Sequence, residues 1–259
     1  MPTHIDTLTH LSLFSGIGGL DLAAEWAGFK TAGQCEWADY PTKILEKHWP
    51  DVPRWRDVRE LTGESVRERT GLREITVVSG GFPCQPHSLA GQRLASDDER
   101  DLWGEYARIV CEIKPKWVVG ENVSGLLSSE NGRFFGRVLR DLAGMGYSIF
   151  WYCFPAWAVG APYERNRVAI VAGPDRNRLQ GSIQRPHKTD ETCNIQNPPS
   201  ENIRTAIGLW NGKGGNSDRI RESDGIPNWM DRIKSLGNCV NPYQFYPIFK
   251  AIAEVEANK

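Results

Sequence analysis

The stretch THLSLFSGIGGLDLAAEWAGF, residues 9–29, constrains the fold more than any other part of the chain. A short apolar strand runs into three glycines, after which Leu20, Ala23, Ala24 and Ala27 recur at helical spacing, the pattern of strand, tight turn and amphipathic helix. The alternation then repeats. TAGQCEW reads as a second strand ending in an acid, and YPTKILEKHW as a helix with Pro41 in its first turn. EITVVSG is a strand whose unbroken apolar run places it in a sheet covered on both faces. Leu102, Tyr106, Ile109, Val110 and Ile113 mark a helix ended by Pro115, and KWVVGENV, FFGRVLRDLAGMGY, SIFWYCFPA and NRVAIVAG carry the rhythm on. Strands alternating with helices imply an α/β fold with a mostly parallel sheet and helices on both faces. Ligands bind such sheets beyond the carboxyl ends of the strands, where Gly16, Glu36, Cys84 and Glu121 all fall.

At 259 residues the chain is long enough to bury a sizeable core. Its net charge of −1 announces no polyanion partner, so a nucleic acid would have to be met by a local patch. No stretch approaches the roughly 20 apolar residues of a membrane span, and the first residues lack the layout of a signal peptide. A cytoplasmic protein is expected. The six cysteines are scattered without a CxxC pair, which fits neither a zinc site nor a disulfide framework. After Gly173 apolar residues become sparse: residues 174–202 hold only Leu179, Ile183, Cys193 and Ile195. That composition cannot build its own core. The expected organisation is an α/β catalytic and cofactor-binding domain over residues 1–173, a short loop-rich region over 174–230, and a C-terminal segment over 231–259. In that last segment Ile248, Ile252 and Val255 repeat at helical spacing, returning the chain to the first domain.

Four features carry chemistry. The FSGIGG turn between first strand and first helix lets backbone approach a ligand and aims helix N–H groups at it. Glu36, 20 residues beyond Gly16, suits a grip on ribose hydroxyls, although a lone acid there could equally be a solvated strand end. Together they indicate a nucleoside-containing cofactor, with no phosphate-binding lysine motif nearby. Cys84 lies in GGFPCQPHS between two prolines that stiffen the loop. A stiff, exposed loop is a poor place for a packing cysteine and a good one for a nucleophile. Glu121 ends a buried strand, where a carboxyl group tends to stay protonated near neutrality. Arg165 and Arg167, two apart at a strand start, are expected to point to one face and hold an anion or a carbonyl.

Taken in order, LSLFSGIGGLDLAAEWAGF, QCEW, RDV, GGFPCQPHS, VVGENVSGL, GAPYERNRVAIVA and SLGNCVNP closely resemble the DNA (cytosine-5) methyltransferase family, from about Leu11 to Gly173 and again from about Asp231. The resemblance implies a Rossmann-like S-adenosylmethionine-dependent fold with a target-recognition region. It implies that Phe14, Gly16, Gly18 and Gly19 line S-adenosylmethionine, that Glu36 takes its ribose hydroxyls, that Trp37 stacks on its adenine and that Asp57 accepts from the adenine amine. Pro83 and Leu102 resemble further walls of that pocket, and Asn238 resembles the C-terminal motif that closes it. Cys84 resembles the nucleophile that adds to C6 of a flipped-out cytosine. Glu121 would hydrogen-bond N3 and the exocyclic amine, while Arg167, with Arg165, would support the cytosine carbonyl. QPHSLAGQRLASDDERD resembles the family's catalytic loop. No metal is implied. The implied partner is double-stranded DNA, met as a monomer, with a cognate restriction endonuclease where the chain belongs to a restriction-modification system in a bacterial or phage-infected cell.

Two departures stand out. Tyr163 occupies a position where the family usually has Gln or His, and the region between the last sheet strand and the closing motif is short. Residues 164–188 carry Arg165, Arg167, Arg176, Arg178, Arg185 and Lys188 against Glu164 and Asp175, a patch that could contact phosphates without specifying sequence. Two other readings stay open: a non-catalytic DNA-binding relative, which would have no reason to keep Cys84, Glu121, Arg165 and Arg167 together, and a transfer-RNA methyltransferase, whose Cys-Phe-Thr tripeptide is absent.

Overall fold

A computed structural model describes residues 7–83, 102–174, 235 and 238–258. The expected alternation is present. The strands are β1 (Thr9–Leu13), β2 (Lys30–Cys35), β3 (Arg54–Trp55), β4 (Val77–Gly80), β5 (Trp117–Val123), β6 (Ser148–Phe154) and β7 (Arg167–Gly173). The helices are α1 (Gly19–Trp26), α2 (Asp39–His48), α3 (Gly63–Thr70), α4 (Trp103–Ile113), α5 (Arg133–Gly144) and α6 (Pro242–Ala257). The seven strands form one sheet in the order β3-β2-β1-β4-β5-β7-β6. The five strands from β3 to β5 run parallel, and β7 lies antiparallel between β5 and β6.

Alternate residues of one strand face opposite sides of the sheet, and the paired valines show it. Val78 and Val118 join Val66, Tyr106, Ile109, Val138 and Leu142 in the layer built from α3, α4 and α5. Val77 and Val119 join Leu20, Ala23, Ala24, Phe245, Phe249 and Ile252 in the layer built from α1 and α6. The unbroken apolar runs of β4 and β5 are therefore what a sheet covered on both sides demands. Two elements escape pattern reading. β3 is only two residues long, and α3 buries just Gly63 and Val66, too few to show a period. α3 is fixed instead by its start, where Thr62 and Ser65 each bond the other's backbone N–H.

The strand order reverses beside β1, which has β2 on one side and β4 on the other. The crevice at such a reversal, beyond the carboxyl ends, is where this class of sheet holds its ligand. The glycine turn after β1 and the Gly81-Phe82-Pro83 segment after β4 both open there. Cys84, the proposed catalytic loop that follows it and the region 175–234 lie outside the described residues. Among the described residues no helix is long and apolar enough to cross a membrane.

Candidate active site

At the end of β1 the backbone turns sharply: Phe14 has φ 51° and Gly16 φ 55°. A side chain at Gly16 would meet no atom within 4 Å, so glycine is needed there for the turn, which leaves open space beside it. Glu36 organises this turn. Its Oε2 accepts the Gly16 N–H at 2.7 Å and its Oε1 accepts the Ala38 N–H at 2.8 Å, tying the loops after β1 and β2 together. A carboxylate has about four acceptor positions, so both oxygens keep a lone pair for a further donor. Next to it Trp37 is 70% exposed, an uncovered ring at the crevice. Asp57 is largely covered and accepts the Arg59 N–H at 2.9 Å. Phe14 and Leu102 pack on the edge of the core, Phe14 stacked at 6.4 Å from Tyr106, whereas Pro83 is exposed.

Val240 of the C-terminal segment packs against this turn. An added Cβ at Gly19 would lie 2.3 Å from the Val240 carbonyl oxygen, so glycine is what lets the two segments touch. Gly18 packs as closely against the Trp49 ring. Asn238 itself is exposed.

A second cluster lies beyond β4 and along the last residues of β5, where Glu121 does not end the strand as expected: Asn122 and Val123 continue its pairing with β7. Glu121 is buried at 9% exposure, and its Oε1 sits 2.7 Å from Nε of Arg167. The contact is an ion pair whose N–H is not aligned to donate. Burial pushes the Glu121 carboxyl above the ordinary carboxylate range, against the pull of Arg167 and Arg165, and burial lowers Arg167 in turn. Arg167 stays cationic at any working pH, so only the raised carboxyl bears on proton transfer, and it suits an acid that must donate.

The arginines depart from the sequence reading. Only Arg167 belongs to β7; Arg165 precedes the strand with φ 32°, so the two are not alternate residues of one extended strand. A turn, not strand alternation, brings both charges to Glu121. Arg165 reaches the C-terminal segment, its Nη2 donating to the Cys239 carbonyl at 2.5 Å.

Two participants were missed. Asn122 is buried, and its Nδ2 donates to the Phe82 carbonyl at 2.8 Å while its Oδ1 accepts the Val123 N–H. It thereby fastens the segment leading to Cys84. Gly81, three residues before Cys84, leaves room for the acid: a Cβ there would stand 2.6 Å from Glu121 Oε2. Asn122 stood within a quoted motif, and the double glycine was visible, but neither contact has a local pattern to reveal it. Tyr163, the departure noted above, accepts from Asn241 Nδ2 at 3.2 Å. Burial holds the thiols of Cys35 and Cys239 protonated, at about 12 and about 11, so neither rivals a loop cysteine as nucleophile.

The sequence profile of C-5 cytosine-specific DNA methylases matches residues 8–224. Type II methyltransferase M.AquIA of Picosynechococcus is 34% identical over 196 residues, covering 71% of this chain and 77% of its own. M.Eco47II of Escherichia coli is 36% identical over 177 residues, covering 68% of this chain and 41% of its own. M.BsuFI of Bacillus subtilis is 33% identical over 165 residues, covering 63% and 39%. The chain thus spans about two-fifths of the length of the last two relatives. Among solved structures, a prophage-encoded E. coli protein described as a DNA modification methyltransferase aligns with TM-score 0.57 at 27% identity, over 64% of this chain and 47% of that one. The Entamoeba histolytica methyltransferase EhMeth aligns with TM-score 0.68 at 15% identity, over 96% and 99%, a likeness of fold. With the sheet order, the glycine turn and the buried Glu121–Arg167 pair in place, the chain belongs to the C-5 cytosine-specific DNA methylase family.

Proposed function

We propose that this protein transfers a methyl group from S-adenosylmethionine to C5 of cytosine in double-stranded DNA, with Cys84 as nucleophile. The observation that carries the reading is Glu121: a buried acid held beside two arginines and against Gly81, at the root of the segment that leads to Cys84. The cofactor's residues fit. Glu36 keeps free lone pairs at the crevice, the Trp37 ring is uncovered and the space beside Gly16 is open. Phe14, Gly16, Gly18, Gly19, Glu36, Trp37, Asp57, Pro83, Leu102 and Asn238 would hold S-adenosylmethionine, which supplies an electrophilic methyl group when bound.

The protein's own groups do the rest. The Cys84 thiolate adds to C6 of the cytosine, forming a C–S bond and placing the electron pair across C4, C5 and N3. Protonated Glu121 donates to N3, and Arg165 and Arg167 hold the carbonyl oxygen as charge shifts. Once C5 carries its methyl group, loss of the C5 proton to a base and cleavage of the C–S bond restore the aromatic ring and the thiolate. A stacked base cannot present C6 to a thiol, so the cytosine must leave the duplex.

Residues 174–230 are proposed as a short target-recognition region giving a short or relaxed site. Bisulfite sequencing of methylated DNA tests this, and methylation confined to one long motif refutes it. A monomer acting in the cytoplasm, with a cognate restriction endonuclease where one accompanies it, completes the proposal. The decisive experiment is transfer of labelled methyl from S-adenosylmethionine to mixed-sequence duplex DNA. Label should appear as 5-methylcytosine and vanish in Cys84→Ala; label that persists in the mutant, or appears only in RNA, overturns the reading.

A further inference from the structure

Gln244 is a buried amide, 1% exposed, on the first turn of α6. Its Nε2 donates to two backbone carbonyls, Phe154 and Arg165, each at 3.3 Å, while its Oε1 finds no partner among the described residues. Phe154 ends β6, and Arg165 sits in the turn that enters β7. Arg165 also holds a positive φ of 32°, a conformation unfavourable for a side-chain-bearing residue that persists only where the surroundings impose it. The same segment grips the turn twice more, through Arg165 Nη2 on the Cys239 carbonyl and Asn241 Nδ2 on the Tyr163 hydroxyl. Leaving Oε1 unpaired in the interior is unfavourable for stability. An amide there is explained by what its two protons do.

We propose that Gln244 is a positioning residue: its amide bridges the exit of β6 and the Arg165 carbonyl, and so fixes the turn that presents Arg165 and Arg167 to Glu121. This rests on the cytosine-C5 methylation reading above. Neither a carboxylate, which would face two carbonyl oxygens with acceptors, nor a thioether can reproduce the bridge.

Gln244→Met keeps the volume and removes both donors. In the full-length protein, kcat for methyl transfer to duplex DNA should fall about tenfold, in line with the sensitivity of catalysis to small misplacements, with the Kd for S-adenosylmethionine unchanged. In an Arg165→Ala background the same substitution should change kcat no further, because the two act on one element. Hydrogen exchange read by mass spectrometry should show faster exchange across residues 156–166 and no change around the β1–α1 turn. Exchange that stays at the wild-type rate overturns the clamp. Losses of kcat that multiply in the double mutant, or a loss of cofactor affinity in step with kcat, reduce Gln244 to a structural residue. If the wild-type protein transfers no methyl group to DNA, the functional reading fails, and the exchange measurement still decides whether Gln244 holds the turn.

Discussion

Replacing Gly81 with alanine adds one methyl group where the structure has no room for it, and the cost should fall on catalysis more than on folding. Gly81 does not have a positive φ, so alanine is compatible with its backbone and only contacts decide the outcome. The new Cβ would lie 2.6 Å from Glu121 Oε2, whereas ordinary contact begins near 3.4 Å, so the carboxylate must retreat by about 0.8 Å. It is the end of a side chain and can move, which limits the stability cost to about 1 kcal/mol, at the low end for overpacking. It is also the acid of the proposed reaction, and its other oxygen is held 2.7 Å from Arg167 Nε. A displacement of about 1 Å at a reacting group can cost about a hundredfold in rate. Single-turnover methyl transfer to duplex DNA should therefore slow by about ten- to a hundredfold in Gly81→Ala, with the cofactor Kd within about twofold of wild type. Gly136→Ala is the control: it lies inside α5, a Cβ there meets nothing within 4 Å, and helix propensity predicts a gain of about 0.5–1 kcal/mol with unchanged kcat. Wild-type kcat in Gly81→Ala, or equal losses of kcat and cofactor affinity, would refute the argument that Gly81 makes room for Glu121.

Burial raises the Asp21 carboxyl from 3.8 to about 6, against the hydrogen bond from Gln34 Nε2 at 3.0 Å. A raised acid stabilises the fold only while protonated: stability is full below the unfolded value and declines as pH rises through about 6. Asp21→Asn keeps the acceptor and should gain up to about 3 kcal/mol in urea unfolding at pH 8, with the difference closing toward pH 4; a constant difference across that range refutes it. Asn122→Asp turns the donor facing the Phe82 carbonyl into an acceptor, which should cost about 1–3 kcal/mol of stability and lower methyl transfer while cofactor binding persists. Unchanged single-turnover rates would show that this bond does not place the Cys84 segment. Gly19→Ala drives a methyl group against the Val240 carbonyl and should loosen the C-terminal segment, costing about 1–3 kcal/mol of stability and weakening S-adenosylmethionine binding in a calorimetric titration. Wild-type affinity would separate the segment from the cofactor pocket.

By itself the sequence determined what depends on neighbours in the chain. The helical spacing after Gly19, the unbroken apolar runs of β4 and β5, and the punctuation by glycine and proline specify strand, turn and helix through local sterics and burial period, and so the layered sheet and its ligand crevice. Glu36 and Glu121 were legible because each is an acid near the carboxyl end of a strand that the sequence marks. The tertiary structure decided the rest. β3 and α3 are too short or too polar to carry a period and take shape against the sheet edge and α4. The left-handed backbone at Arg165 broke the strand alternation assumed for Arg165 and Arg167, since two residues two apart share a face only where the chain is extended. Asn122 on the Phe82 carbonyl, Gly81 against Glu121 and Gln244 on Arg165 join residues 40 to 79 positions apart. A buried amide or an absent side chain acquires meaning only from the atom opposite it, and chain folding alone chooses that atom.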